Sequence, residues 1–292
     1  MRCLVTIGIV VGMIAMLACG RHHPDFYKAG MPRLLAEGTI STDRCETRCA
    51  LTPDEKTLFF ATMGWREGDS LNQDIYFSHW RNGRWLAPQP VPFNTEWQEF
   101  DPAVTPDGLW LYFCSDRPNG MGGSDIWRVA IDKNGFGEPE NLGPIINGAG
   151  DEWGPSFSAD GRVMVFSSDG RGGSGGHDLF RSVRAGEKWA FPANLGPQIN
   201  SAFHEFDPCV VGLLDKVIFA SDRPGGPGGV DLWEAQCHHG IWQRAEPLPA
   251  PLNSEAWDSC PYLAPSGNVF YFSSTRRTHL PTAADIWMVE AR

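Results

Sequence analysis

A period of 53 residues runs through the chain, and it constrains the fold more than any other feature. Phe60, Phe113, Phe166, Phe219 and Phe272 recur at that spacing, each closing a strand-like run: LFF, LYF, MVF, VIF and FYF. Asn94, Asn147, Asn200 and Asn253 keep the same period, as do Phe136, Trp189 and Trp242. Within each unit four strand candidates follow one another. The second unit shows them well: Pro102 to Thr105, a Pro106-Asp107-Gly108 turn, Leu109 to Ser115, a glycine-rich loop over Asn119 to Gly123, a strand opening at Asp125, and a fourth near Phe136 to Leu142. Four strands in about 50 residues, repeated in tandem, is the pattern of propeller blades.

A blade buries its faces only against its neighbours, so the ring must close. The last repeat stops after its third strand, at Asp285 to Val289, and lacks a fourth. The stretch Arg33 to Ser41 fills that slot at the other end of the chain, because Ser41 lies one period before Asn94. The expected fold is therefore all-β: a five-bladed β-propeller of four-stranded blades, closed by the N-terminal strand completing the C-terminal blade. The repeats fall near 45–97, 98–150, 151–203, 204–256 and 257–292 plus 33–43, in one domain spanning 33–292.

Residues 1–18 read as a signal peptide. Arg2 is a positive n-region, and Leu4 to Leu17 is an apolar run too short to span a bilayer comfortably. Met16-Leu17-Ala18-Cys19 resembles a bacterial lipobox, which implies lipidation of Cys19 and a tether over 19–32. Gly20, rather than Asp, resembles outer-membrane sorting. The expected location is the periplasmic side of a bacterial envelope, with the membrane reached through a lipid anchor.

The chain of 292 residues carries a formal charge of -11. That charge and the lack of a Lys/Arg cluster argue against nucleic acid as a partner. Six cysteines remain beyond Cys3 and Cys19; Cys45 and Cys49 are close enough in the chain to pair, although Cys49 and Cys114 also read as small apolar core residues.

The blocks Ser115-Asp116-Arg117-Pro118-Asn119-Gly120-Met121-Gly122-Gly123-Ser124-Asp125-Ile126-Trp127 and Ser221-Asp222-Arg223-Pro224-Gly225-Gly226-Pro227-Gly228-Gly229-Val230-Asp231-Leu232-Trp233 resemble the WD40-like repeats of TolB-like propellers, as does Pro-Asp-Gly before Leu-Tyr-Phe. The resemblance covers 33–292. It implies a non-catalytic periplasmic scaffold that binds other proteins; the expected protein is a monomer that takes an envelope protein or a glycan. Blade four departs from it, with Gly212-Leu213-Leu214 in place of Pro-Asp-Gly.

Glu46, Glu99, Glu152, Glu205 and Asp258 stand 53 apart, just before each innermost strand. A ring of them at a channel mouth could hold Ca²⁺, which favours six to eight oxygen ligands. A residue present in every repeat more often serves folding, by bonding the blade's own backbone. Asp74, Asp125, Asp178, Asp231 and Asp285 open the third strands, and Arg117, Arg223 and Arg276 are placed to pair with them across the glycine-rich loop. Five-bladed propellers also include glycosidases. Their chemistry requires two carboxyls in different roles, so catalytic carboxylates should break the repeat symmetry. Asp101 and Asp207, each in a Glu-Phe-Asp-Pro context, are the candidates. No spaced Cys/His metal set is present, and no resident cofactor is expected. A secreted glycoside hydrolase or lyase with a site at the channel mouth is thus the alternative to a binding scaffold.

Overall fold

A computed structural model describes residues 30–64, 72–186, 188–278 and 283–291; Cys19 and the tether as far as residue 29 lie outside them. Five antiparallel sheets are arranged as the blades of a propeller. In blade two the inner strand Glu99–Val104 pairs with Trp110–Ser115, which pairs with Asp125–Asp132. The fourth position is split. Gly135–Phe136 and Glu140–Asn141 both lie against the third strand, each only two residues long. Blades one, three and four repeat this division. Short outer pieces leave little edge for another chain to pair with.

Closure follows the sequence expectation. Arg33–Leu34 is the outer strand of the C-terminal blade and pairs antiparallel with Asp285–Glu290. The repeat logic extends to single hydrogen bonds. Asn147 Nδ2 donates to the Ile126 carbonyl at 3.0 Å and its Oδ1 accepts the Ile126 amide at 2.9 Å, clamping the connection between blades onto the third strand. Asn94, Asn200 and Asn253 do the same to Ile75, Leu179 and Leu232. Ser41, one period before Asn94, donates its hydroxyl to the Ile286 carbonyl at 3.0 Å.

The apolar core lies between blades. The five phenylalanines of the 53-residue period are all at most 1% exposed. Phe113 stacks on Phe93, and Phe136 of blade two meets Phe59 and Phe77 of blade one edge-on. At roughly 1.5–3 kcal/mol for each buried phenylalanine, these seams hold the ring together.

Candidate functional site

The repeat-wide carboxylates sit at the start of each inner strand with no exposed surface. Glu99 accepts the Thr95 amide (2.8 Å) and hydroxyl (2.6 Å), the Ser115 hydroxyl (3.2 Å) and Arg117 Nη2 (2.8 Å). Glu205 repeats the set with Ser201, Ser221 and Arg223, and Asp258 with Ser254 and Arg276. Glu46 accepts the amide and hydroxyl of Thr42. These carboxylates brace the turn entering their own blade. The arginines therefore differ from their expected pairing. Arg117, Arg223 and Arg276 bind the inner-strand carboxylate, while Asp125 is met by the Met121 amide and Asn141 Nδ2.

Blade three departs from blades two, four and five. Its arginine stands one residue later, in Ser168-Asp169-Gly170-Arg171, and donates to the Ile146 carbonyl. Arg171 Nε is left 3.7 Å from Glu152 Oε1. Burial then pushes the Glu152 carboxyl up to about 7, against the Gly148 amide, the Ser168 hydroxyl and the distant arginine, which lower it. A carboxyl with a folded pKa raised above its unfolded value loses its contribution as pH rises through the folded pKa, between about 4.5 and about 7 here. Glu152→Gln mimics the protonated form. It is expected to be near neutral at pH 5 and stabilising at pH 8, whereas Glu99→Gln should cost about 3 kcal/mol at both by stranding Arg117. Denaturant titrations of the two variants at both pH values check this; equal costs would refute the contrast.

The axis belongs to a different repeat position, two residues further along. Residues 48, 101, 154, 207 and 260 each occupy a bulge in the inner strand, where the register with the second strand shifts. All five have positive φ: Arg48 34°, Asp101 51°, Gly154 62°, Asp207 49° and Cys260 50°. Such a bulge re-aims its side chain, and for the four residues other than glycine the conformation costs on the order of 1–3 kcal/mol each. At Gly154 a Cβ would lie 3.2 Å from Asp207 Cα and 3.4 Å from Arg48 Nη1.

The structure thus brings Asp101 and Asp207 together, with two partners that sequence reasoning did not single out. Arg48 is 3% exposed. Its Nη1 is 3.7 Å from Asp207 Oδ1, and its Nη2 donates to the carbonyls of Pro155 (3.1 Å) and Pro208 (3.3 Å). Blades three and four lie across the ring from blade one, so this side chain crosses the axis. Asp207 Oδ2 also accepts the Cys260 amide (3.2 Å) and thiol (3.1 Å). Asp101 accepts the Gly154 amide.

One cation faces two buried carboxylates. Burial opposes Arg48's charge, but Asp101 and Asp207 outweigh it and hold the guanidinium's pKa above its ordinary value. Burial, then Asp207, push the Asp101 carboxyl up to about 7, although Arg48 and the Gly154 amide lower it. The Cys260 and Cys114 thiols are driven well up, by burial first and the aspartates after it. Buried protonated thiols of this kind are unreactive. Cys45, Cys49, Cys114, Cys209, Cys237 and Cys260 are all free thiols, so Cys45 and Cys49 do not pair.

Towards the end of the propeller where the inner strands begin, blade three carries a second group. Trp153 stacks on His177 with ring centroids 3.9 Å apart, and the His177 amide donates to His204 Nδ1 at 3.3 Å. Burial lowers the His177 pKa. Donor atoms of Asp151, Asp169 and His177 lie within 4.8 Å of one another. The search for Cys/His spacings missed this set, because two of its three members are aspartates. Trp97, Phe203 and Trp257, in the turns just before the inner strands of blades two, four and five, are 41–48% exposed at the same end. His238 and His239 lie elsewhere, where the third strand of blade four gives way to a turn.

No family model matches the sequence, and no curated protein does. Solved structures do. A putative TolB from Agrobacterium tumefaciens aligns with a TM-score of 0.51 at 17% identity, over 80% of this chain and 71% of that one. TolB from Acinetobacter baumannii aligns at 0.54 and 16%, over 85% of this chain and 55% of that one. The chain shares a β-propeller fold with both structures. An α-L-arabinofuranosidase from Lactobacillus brevis shares the architecture as well, at 0.56 and 11% identity over 84% and 90%. Likeness at this identity speaks for the fold alone, and fold does not fix function.

Proposed function

We propose that this chain is a non-catalytic, lipid-anchored envelope propeller that binds a protein or glycan at the end bearing Trp97, Phe203 and Trp257. The observation that carries the reading is Arg48. The carboxylates that break the repeat symmetry, Asp101 and Asp207, are engaged by a guanidinium that crosses the axis between blades. A glycosidase needs its two carboxyls apart, with a sugar and often a water between them. Here a buried arginine stands 3.7 Å from Asp207 and interacts electrostatically with both aspartates. Exposed aromatic rings, by contrast, offer large rigid contact area to a partner.

One observation favours the catalytic alternative: burial and the nearby Asp207 raise the Asp101 carboxyl to about 7, and a carboxyl raised towards neutral pH is the pattern of a general acid. The two readings separate in one set of experiments. Aryl-glycoside hydrolysis is expected to stay at background for the wild type and for Asp101→Asn. A rate that the substitution abolishes would establish the enzyme. Partner capture from membranes, identified by mass spectrometry, should be lost in Trp97→Ala/Trp257→Ala with the melting temperature unchanged. Cys19→Ser should move the protein out of the membrane fraction or leave it unprocessed, because acyl-chain burial is then lost. Normal maturation and retention in the membrane would refute the anchor.

A further inference from the structure

Blade three departs from blades two, four and five at two positions, 151 and 177, and keeps at 169 the aspartate that blades two and four carry at 116 and 222. Position 151 is Gln98 in blade two, His204 in blade four and Trp257 in blade five; position 177 is Ser124, Val230 and Ala284. Their shared task is main-chain. The amides of Gln98, Asp151 and His204 donate to the aspartates at 116, 169 and 222, and the carbonyls of Ser124, His177 and Val230 accept the amides of the next blade's Glu152, Glu205 and Asp258. Any side chain serves that purpose at 151 and 177. Only blade three places Asp at 151 and His at 177 beside the aspartate at 169.

We infer that Asp151, Asp169 and His177 form a binding site for a divalent transition metal of the zinc class. The donor atoms are already within 4.8 Å of one another, and bonds of about 2.0–2.2 Å to a shared ion require only a modest contraction from there. His177 is 5% exposed, and its Nδ1 has no hydrogen-bond partner. A buried ring nitrogen left unpaired costs on the order of 1–3 kcal/mol, so its persistence calls for an occupant. The ring is held in place by the stack on Trp153. Each carboxylate is oriented by a main-chain amide: Asp151 Oδ1 accepts the Ser124 amide at 2.6 Å, and Asp169 Oδ1 accepts the Asp151 amide at 2.8 Å. One oxygen of each is thereby fixed while the other stays available. Outer contacts of this kind are what orient metal ligands.

The donor set decides the class of ion. Imidazole nitrogen suits Zn²⁺, Ni²⁺ or Cu²⁺ far better than Ca²⁺, which calls for six or more oxygens. Three protein donors also leave at least one coordination position for water or for an oxygen of a partner, and Asp169 is exposed on that side.

Equilibrium dialysis against Zn²⁺, with metal content measured afterwards, tests the assignment on the purified chain. The wild type is expected to retain one Zn²⁺ per chain that His177→Gln does not. Asp169→Asn, which keeps the Oδ1 acceptor for the Asp151 amide, should fold and bind at least about tenfold more weakly, since even an outer-shell loss costs that much. Melting curves without metal establish that each variant is folded; if His177→Gln is not, Asp151→Asn takes its place. Retention of Zn²⁺ at wild-type strength by the folded variants would overturn the site, as would a wild type that holds none or prefers Ca²⁺.

Discussion

Arg48→Met is expected to cost the propeller about 3–5 kcal/mol at pH 8, a drop in melting temperature on the order of 10 °C for a domain of this size. The substitution matches volume without matching charge. It leaves Asp101 and Asp207 buried at 7% exposure each, with no cation between them. It also removes the two hydrogen bonds that tie blade one to the Pro155 and Pro208 carbonyls across the axis. The penalty should depend on pH, and its sign follows from Asp101. With Arg48 present, that carboxyl is raised to about 7, so the stability it contributes is full below its unfolded value near 3.8 and is lost as pH climbs through about 7. Without Arg48 the effect that lowers it disappears and the carboxyl rises further. At pH 5 Asp101 is protonated in either protein, and the cost of the substitution shrinks. Asp101→Asn/Asp207→Asn added to Arg48→Met should restore much of the loss at pH 8, because neutral groups replace stranded charges. A cost that is flat between pH 5 and pH 8, or a triple variant no better than the single one, would show that Arg48 does not neutralise this cluster.

The architecture was legible because the repeat imposes one geometry on many residues. A period shared by Phe60 through Phe272 reports an inter-blade seam, and Ser41 falling on the Asn94 series locates the closing strand without any structural information. The axial group was only half legible. Asp101 and Asp207 announce themselves through matching Glu-Phe-Asp-Pro contexts, yet the same period carries on to residues 48, 154 and 260. Arg48 is disguised by Glu-Thr-Arg-Cys, which shares only the glutamate with that context, and Cys260 by Asp-Ser-Cys-Pro. Following position rather than motif would have found both.

The arginine pairing could not be read, because Ser115 pairs with Glu99 on one side and Asp125 on the other, and Arg117 can reach either strand. What distinguishes the two is that Asn141 and a loop amide both bond Asp125 Oδ2, while Arg117 bonds Glu99 Oε1 at 2.8 Å. In the last blade the closing strand brings no such asparagine, and Arg277 pairs with Asp285 instead. The metal candidate was illegible for another reason: its members, spread over residues 151–177, meet only once two loops fold onto one end of the blade.

Deletion of residues 30–41 is expected to make the propeller aggregate. The deleted stretch contributes two kinds of stabilisation. Leu35 and Ile40, at 3% and 0% exposure, pack with Phe60, Ile286 and Met288 in the seam between the first and last blades. Ile40→Ala alone is expected to cost about 2–5 kcal/mol. The backbone share is as large a concern. Arg33 and Leu34 cover Met288 and Trp287, the Leu35 amide donates to the Ile286 carbonyl at 2.9 Å, and without them Asp285–Glu290 becomes a six-residue open edge. Every other third strand is covered by its own short outer pieces, and an uncovered strand of that length recruits others. Loss of the seam and loss of edge protection can be told apart. Because Arg33 pairs with Met288 and Leu34 with Trp287, the segments at residues 33–34 and 287–288 run antiparallel like the arms of a hairpin. A permutant that carries 30–43 after residue 292, joined by a short turn, should restore edge and seam together, since hairpin connections of two to five residues suit such a register. Size-exclusion chromatography and thermal melts of the deletion, Ile40→Ala and the permutant read the outcome. The closure account requires an aggregated deletion, a soluble but less stable Ile40→Ala, and a monomeric permutant melting near the parent; a deletion that stays monomeric with an unchanged melting temperature would refute it.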